Sequence, residues 1–135
     1  MSHAIRLPRL IFSEIIIRAY DQLPRECCGV LSGTSGKAMT IHPLENKSPE
    51  PEKRYFAAPE DLFAAMRRMR TDNEDLIAIY HSHPRGPAFP SQTDIDLAFY
   101  SQAVYLIVAL QPNIEMKAFT IIEEKATETE IIVLD

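Results

Sequence analysis

The run Leu76-Ile77-Ala78-Ile79-Tyr80-His81-Ser82-His83-Pro84, continuing as RGPAFPSQTD to Asp94, decides how this chain is read. Its β-branched and aromatic residues mark a strand, and Pro84 stops it because proline cannot donate to a sheet ladder. Side chains two apart on a strand point to the same face, so His81 and His83 aim into one volume, with Ile77 and Ile79 filling that face behind them. Two imidazole nitrogens therefore converge at the strand end. Zinc accepts His nitrogen and carboxylate oxygen at about 2.0–2.2 Å, and catalytic sites commonly use three protein ligands. Asp94 is the nearest candidate for the third, because the loop through Pro87 and Pro90 can fold the next helix back over the strand. With Ser91 as N-cap, Asp94 falls at N3; S-x-x-D is equally a capping box that only satisfies backbone donors.

A water activated at such a centre needs a base that is not itself a ligand, to take a proton during attack and pass it to the leaving amine. Glu26 is the candidate: it precedes an apolar strand, where alternation puts it on the face of Cys28 and Val30. The competing reading is a solvated turn carboxylate. The Ser91 hydroxyl could donate a hydrogen bond to the developing oxyanion, an interaction worth a few kcal/mol in such sites.

Working outward, 135 residues suffice for one domain, 1–135, since domains commonly hold on the order of 100–150 residues. The chain is 46% hydrophobic and 24% charged, which predicts a folded core rather than disorder. A net charge of −5 has the wrong sign for a nucleic-acid binder. No apolar run approaches the roughly 18 residues of a membrane span, and the first ten residues lack a signal-peptide pattern. The expectations are no nucleic acid, no membrane and a cytoplasmic, reducing location. Adjacent Cys27 and Cys28 cannot readily pair with each other and make no disulfide framework.

PRLIFSEIIIRAYDQL, Pro8 to Leu23, carries Leu10, Ile11, Ile15, Ala19 and Leu23 at helical spacing. CCGVLSG and AMTIHPL read as a hairpin around GTSGK, and Glu45 to Lys53 as a loop. RYFAA reads as a brief strand. PEDLFAAMRRMRT, Pro59 to Thr71, has acids at its front and arginines at its rear, as the helix dipole favours. SQTDIDLAFYSQ opens like a helix, and VYLIVAL, EMKAFTII and EIIVL read as three further strands. The predicted fold is α+β, three-layer α/β/α-like, with a mixed, largely antiparallel sheet.

Glu26, then His81-Ser82-His83, seven residues, Ser91, two residues and Asp94 match the E…H-S/T-H-x7-S-x2-D signature of the JAMM (MPN+) zinc metalloproteases, with ECCGVLSG and IYHSHP around them. The chain resembles the compact prokaryotic members of that family. The resemblance implies a curved sheet in an MPN/JAMM, cytidine deaminase-like architecture. It implies one zinc per chain on His81, His83 and Asp94, Glu26 as general acid/base and Ser91 as oxyanion stabiliser. It also implies hydrolysis after the C-terminal Gly-Gly of a ubiquitin-like or sulfur-carrier protein adduct. The alternative is a non-catalytic MPN-like module that holds a ubiquitin-like partner. A nucleobase deaminase would want H-x-E and P-C-x-x-C, both absent here.

Cys27 and Cys28 read as apolar filler, and Gly29 as a point of close backbone approach or a bulge. His3 and His42 lack companions at ligand spacing. Phe89 reads either as a contact for a substrate tail or as an anchor for its loop. The Glu45 to Lys53 loop reads as a connector or a carrier contact, and Arg67, Arg68 and Arg70 as a solvated helix end.

Overall fold

The computed structural model describes residues 4–135. In chain order it contains β1 (Ile5–Pro8), α1 (Arg9–Asp21), β2 (Cys28–Thr34), β3 (Lys37–Leu44), α2 (Pro59–Thr71), β4 (Asp75–His83), α3 (Gln92–Asp96), β5 (Val104–Ala109), β6 (Glu115–Ile122), β7 (Lys125–Thr129) and β8 (Ile131–Leu134). The eight strands form one curved sheet in the order β7-β6-β5-β4-β2-β3-β1-β8. β2 pairs antiparallel with β3 and β4, and β6 with β5 and β7. The β4–β5, β1–β3 and β1–β8 pairs are parallel. The sheet is thus mixed and largely antiparallel, as the sequence predicts.

Two cores hold it. Ile11, Ile15 and Ala19, four residues apart, line the inner stripe of α1 and pack with Leu7, Leu31, Tyr80 and Leu106. On the other face Ala65 and Met69 of α2 pack with Val30, Ile79, Ile107 and Phe119. Each large apolar side chain taken out of water here contributes about 1.5–3 kcal/mol. β5 is buried along its whole length, which explains its continuous apolar run: both faces are covered.

The differences from expectation are local. The first helix starts at Arg9 because Pro8 ends a short strand whose partners, β3 and β8, lie far away in sequence. Leu10 is therefore 84% exposed rather than on the buried stripe, and Leu23 lies beyond the helix and is exposed too. RYFAA forms no strand. β7 escapes sequence reading because its hairpin turn is Glu123-Glu124, both at positive φ, in place of the usual Asn or Gly. Ile77 is not on the histidines' face. The β2–β4 register shifts between Leu31↔Ala78 and Ser32↔Leu76, a bulge that sends Ile77 to the α1 side and puts Leu76 in its place. Among the described residues no helix is long and apolar enough to cross a membrane.

Candidate metal centre

β4 ends between β2 and β5, so His81 and His83 stand at the middle of the sheet, opposite Cys28 on one side and Ile107 and Ala109 on the other. Burial behind them is complete: His81 is 1% exposed. The loop after Pro84 returns through buried Ala88, and the Phe89 ring lies 5.6 Å from Phe119 with Lys117 Nζ over its face. Phe89 thus packs on β6 while 49% of its surface stays exposed. The loop delivers α3 to the strand end. This helix is a single turn, shorter than SQTDIDLAFYSQ suggested, since Leu97 already caps it.

His81 Nε2, His83 Nε2 and Asp94 Oδ2 lie 3.1 Å apart in all three pairs. An equilateral triangle of that edge is one face of a tetrahedron whose centre is about 1.9 Å from each corner, close to the 2.0–2.2 Å that zinc takes with these atoms. Asp94, His81 and His83 are the one group of three acidic, His or Cys ligands gathered this tightly among the described residues. The donor set and spacing fit a divalent transition metal. The Pro87 carbonyl, 2.9 Å from His83 Nδ1, can only accept, so Nδ1 carries the hydrogen and Nε2 keeps its lone pair for the centre. His81 is held differently: the Tyr55 ring stacks on it at 4.6 Å, and its buried Nδ1 has no hydrogen-bond partner among the described residues.

Ser91 caps α3 in a reciprocal box: Asp94 N donates to Ser91 Oγ at 3.0 Å, and Ser91 N donates to Asp94 Oδ2 at 2.9 Å. The capping and ligand readings are therefore compatible, because the cap orients the carboxylate. The exposed Ser91 hydroxyl accepts in the box, which leaves its own hydrogen available to donate.

Glu26 is 5% exposed, and its Oε1 is buried without a hydrogen-bond partner among the described residues. It is not the solvated turn carboxylate of the competing reading. Burial, only partly offset by the neighbouring His83, pushes its pKa up to about 8. Burial also opposes charge on Asp94, yet the two imidazoles beside it and the Ser91 N–H hold its carboxyl well below the usual range. On His81 burial wins and lowers the pKa; on His83 the neighbouring Asp94 carboxylate and the Pro87 carbonyl outweigh burial and raise it.

Three residues without an assigned place in the sequence reading build this corner. Ser82, between the histidines, accepts a 2.8 Å bond from Cys27 N, while Ser82 N donates to Cys27 O, so β4 is pinned to the residue after Glu26. Its place inside H-S-H was the available signal. Tyr55 and Asn46 had none, lying in segments read as strand and connector. Cys27 packs in the α1-side core while Cys28 faces the other side, and burial raises both thiol pKa values, Cys28 to about 12. Gly29 admits the Tyr80 ring, which a side chain there would strike. Arg67, Arg68 and Arg70 are exposed, and His3 lies outside the described residues. Beside Asp94 opens an apolar cavity of about 180 Å³ bounded by Val30, Tyr55, Leu62, Ile79, Leu97 and Tyr105.

Residues 8–122 match the Prok-JAB family, described as prokaryotic homologs of the JAB domain. The chain is similar to a desampylase of Haloferax volcanii, 38% identical over 62% of each chain. It is also similar to the CysO-cysteine peptidase of Mycobacterium tuberculosis, 29% identical over 93% of this chain and 88% of that one. The match to the desampylase thus spans under two thirds of that relative's length. A solution structure of a protein from Desulfitobacterium hafniense superimposes with TM-score 0.87 at 32% identity, covering 97% of this chain and 93% of that one. A JAB1/MPN domain protein from Archaeoglobus fulgidus, 18% identical, shares the fold at TM-score 0.67 over 97% and 98%. With a family match across most of its length and a converging His-His-Asp group where the JAMM signature places one, this chain belongs to the Prok-JAB family, the prokaryotic branch of the JAMM/MPN fold.

Proposed function

We propose that the chain is a zinc-dependent peptidase or isopeptidase, one domain over 1–135, that hydrolyses the bond after the C-terminal Gly-Gly of a ubiquitin-like or sulfur-carrier protein adduct. The observation that carries this is the 3.1 Å His-His-Asp triangle beside a buried carboxylate, one oxygen of which has no hydrogen-bond partner among the described residues. The names of the desampylase and the CysO-cysteine peptidase support the substrate class.

In this reading His81, His83 and Asp94 hold one zinc ion. Zinc bound there supplies Lewis acidity, which acidifies water and polarises a carbonyl. Glu26 takes a proton from the attacking water and delivers it to the leaving nitrogen, so no net proton stays on the protein. A buried carboxyl, whose proton affinity burial raises above that of a solvated one, can make both transfers. The Ser91 hydroxyl donates to the carbonyl oxygen as charge grows on it. The cap at Ser91 and the Pro87 carbonyl keep Asp94 and His83 from swinging away. The location in this reading is the cytoplasm, and neither nucleic acid nor membrane takes part.

The test uses zinc-replete protein and Gly-Gly-terminated carriers bearing cysteine, a short peptide or an isopeptide-linked lysine. Cleavage is expected for at least one, with the carrier's glycine carboxylate freed. Tight carrier binding without turnover would sink the catalytic reading and leave a non-catalytic binding module.

A further inference from the structure

We propose that Asn46 is a positioning residue that holds Glu26 and Tyr55 at the two flanks of the metal centre; this rests on Glu26 being the proton carrier. Asn46 follows β3 in the segment read as a connector, yet it is 4% exposed. Its amide Nδ2 donates to three carbonyls: Glu26 O at 3.0 Å, Arg54 O at 3.1 Å and Pro51 O at 3.2 Å. Its Oδ1 accepts from Ser48 N and Phe56 N, both at 3.0 Å. A carboxamide has two N–H hydrogens and two lone pairs, so this one is fully used, with one hydrogen shared between carbonyls.

The five bonds draw three stretches of chain together: Glu26 just before β2, the turn at 48–51, and the extended segment 54–56. Glu26 N also donates to Pro51 O at 2.7 Å, and Lys47 N to Phe56 O at 2.8 Å. Tyr55 sits between the two residues whose backbone Asn46 grips, and its ring is the one that stacks on His81. A single side chain therefore sets the backbone on which Glu26 stands and the backbone from which Tyr55 reaches its ligand.

This matters for Glu26 in particular. Its Oε1 has no hydrogen-bond partner among the described residues, so side-chain bonding does little to aim it. Its direction depends on where its backbone is fixed and on packing. The loop itself is not part of either apolar core, since Glu45, Lys47, Pro49 and Glu50 are exposed. Loss of the Asn46 amide should loosen the two flanks while the sheet stays folded.

The experiment compares zinc-loaded wild type, Asn46→Ala and Asn46→Asp, each alone and combined with Glu26→Gln, on a Gly-Gly carrier bearing cysteine under single-turnover conditions as well as at steady state. Asn46→Asp keeps the acceptor but sets an oxygen against three carbonyls and is the harsher change, so Asn46→Ser, uncharged and with one donor and one acceptor, serves if the alanine variant does not fold. Expected is a kcat loss of about 10- to 100-fold, the range seen when supporting residues or about 1 Å of alignment are lost, with KM and zinc content essentially unchanged. In the Glu26→Gln background the same change should cost less than about 3-fold, because residues acting through one another are not additive. Amide hydrogen exchange, read without substrate, should rise at Glu26 and Phe56 and stay constant in β5. Full kcat in Asn46→Ala, or an equal loss in both backgrounds, would overturn the proposal. Should wild type cleave no carrier, the preceding functional reading fails; unchanged exchange at Glu26 and Phe56 would then separately overturn the clamp.

Discussion

Two clusters of serine, histidine and acidic side chains lie against this sheet. One is Ser32, His42 and Glu74; the other is His81, His83 and Asp94 with Ser91 beside them. In the first, Ser32 Oγ donates to Glu74 Oε1 at 2.7 Å. Its single hydrogen is thereby spent, so the hydroxyl accepts from His42 Nε2, also at 2.7 Å. The result is a line of satisfied bonds running one way, and burial lowers the His42 pKa so that the ring stays neutral. In the second, two imidazole nitrogens and a carboxylate oxygen crowd to 3.1 Å from one another around a common point, and a neighbouring carboxylate oxygen has no hydrogen-bond partner among the described residues. Residue type does not separate a site from a structural contact; convergence of unshared lone pairs does.

The contrast breaks if the triangle can lose a corner harmlessly. His83→Ala and Asp94→Asn should both abolish carrier cleavage and strip zinc, checked by metal analysis of the purified protein. Glu26→Gln should cost about 10²- to 10⁴-fold in kcat while zinc remains, which separates proton transfer from metal binding. If Glu26→Gln keeps full activity, the assigned proton route is wrong.

A pH experiment sharpens the contrast on the metal-free protein. Burial lifts the Glu26 pKa from its ordinary 4.5 to about 8, so between those values the fold holds a proton that the unfolded chain has released. Glu26 therefore contributes stability that is present at acid pH and is lost as pH rises towards 8. The melting temperature of metal-free Glu26→Gln, relative to wild type, should increase from pH 5 to pH 8.5. A constant difference would mean that the carboxylate is better solvated than its burial indicates.

The linear cluster should answer in stability alone. Ser32→Ala removes the bridge and leaves Glu74 and His42 without it, at a cost of about 1–3 kcal/mol in denaturant unfolding with kcat and zinc unchanged. Smallest of all is the exposed Arg9–Asp135 pair, whose loss through Arg9→Ala should fall within about 1 kcal/mol. A loss of activity in Ser32→Ala would erase the distinction between the two clusters.

The converging His-His-Asp group was legible because each step in it is local. Alternation places His81 and His83 on one face, and a capping box places Asp94 at N3 whatever else it does. The helix at Pro59–Thr71 was equally legible, since its charge asymmetry and Pro at the first position are written within one segment. Ile77 was misplaced because a bulge depends on the partner strand, and β1 was hidden because its pairing with β3 and β8 joins distant parts of the chain.

What residue order alone determined is the pair of imidazoles, the turn that presents Asp94 and the strand-rich three-layer class, all consequences of periods of two and of helix-start chemistry. Tertiary structure alone decided that Glu26, 55 residues before His81, lies beside the triangle with an oxygen that has no hydrogen-bond partner among the described residues, that Asn46 holds its carbonyl and that Ser82 pins the next residue, Cys27. The physical reason is that burial and hydrogen-bond partners across such separations are set by strand pairing and loop closure, which no local pattern encodes.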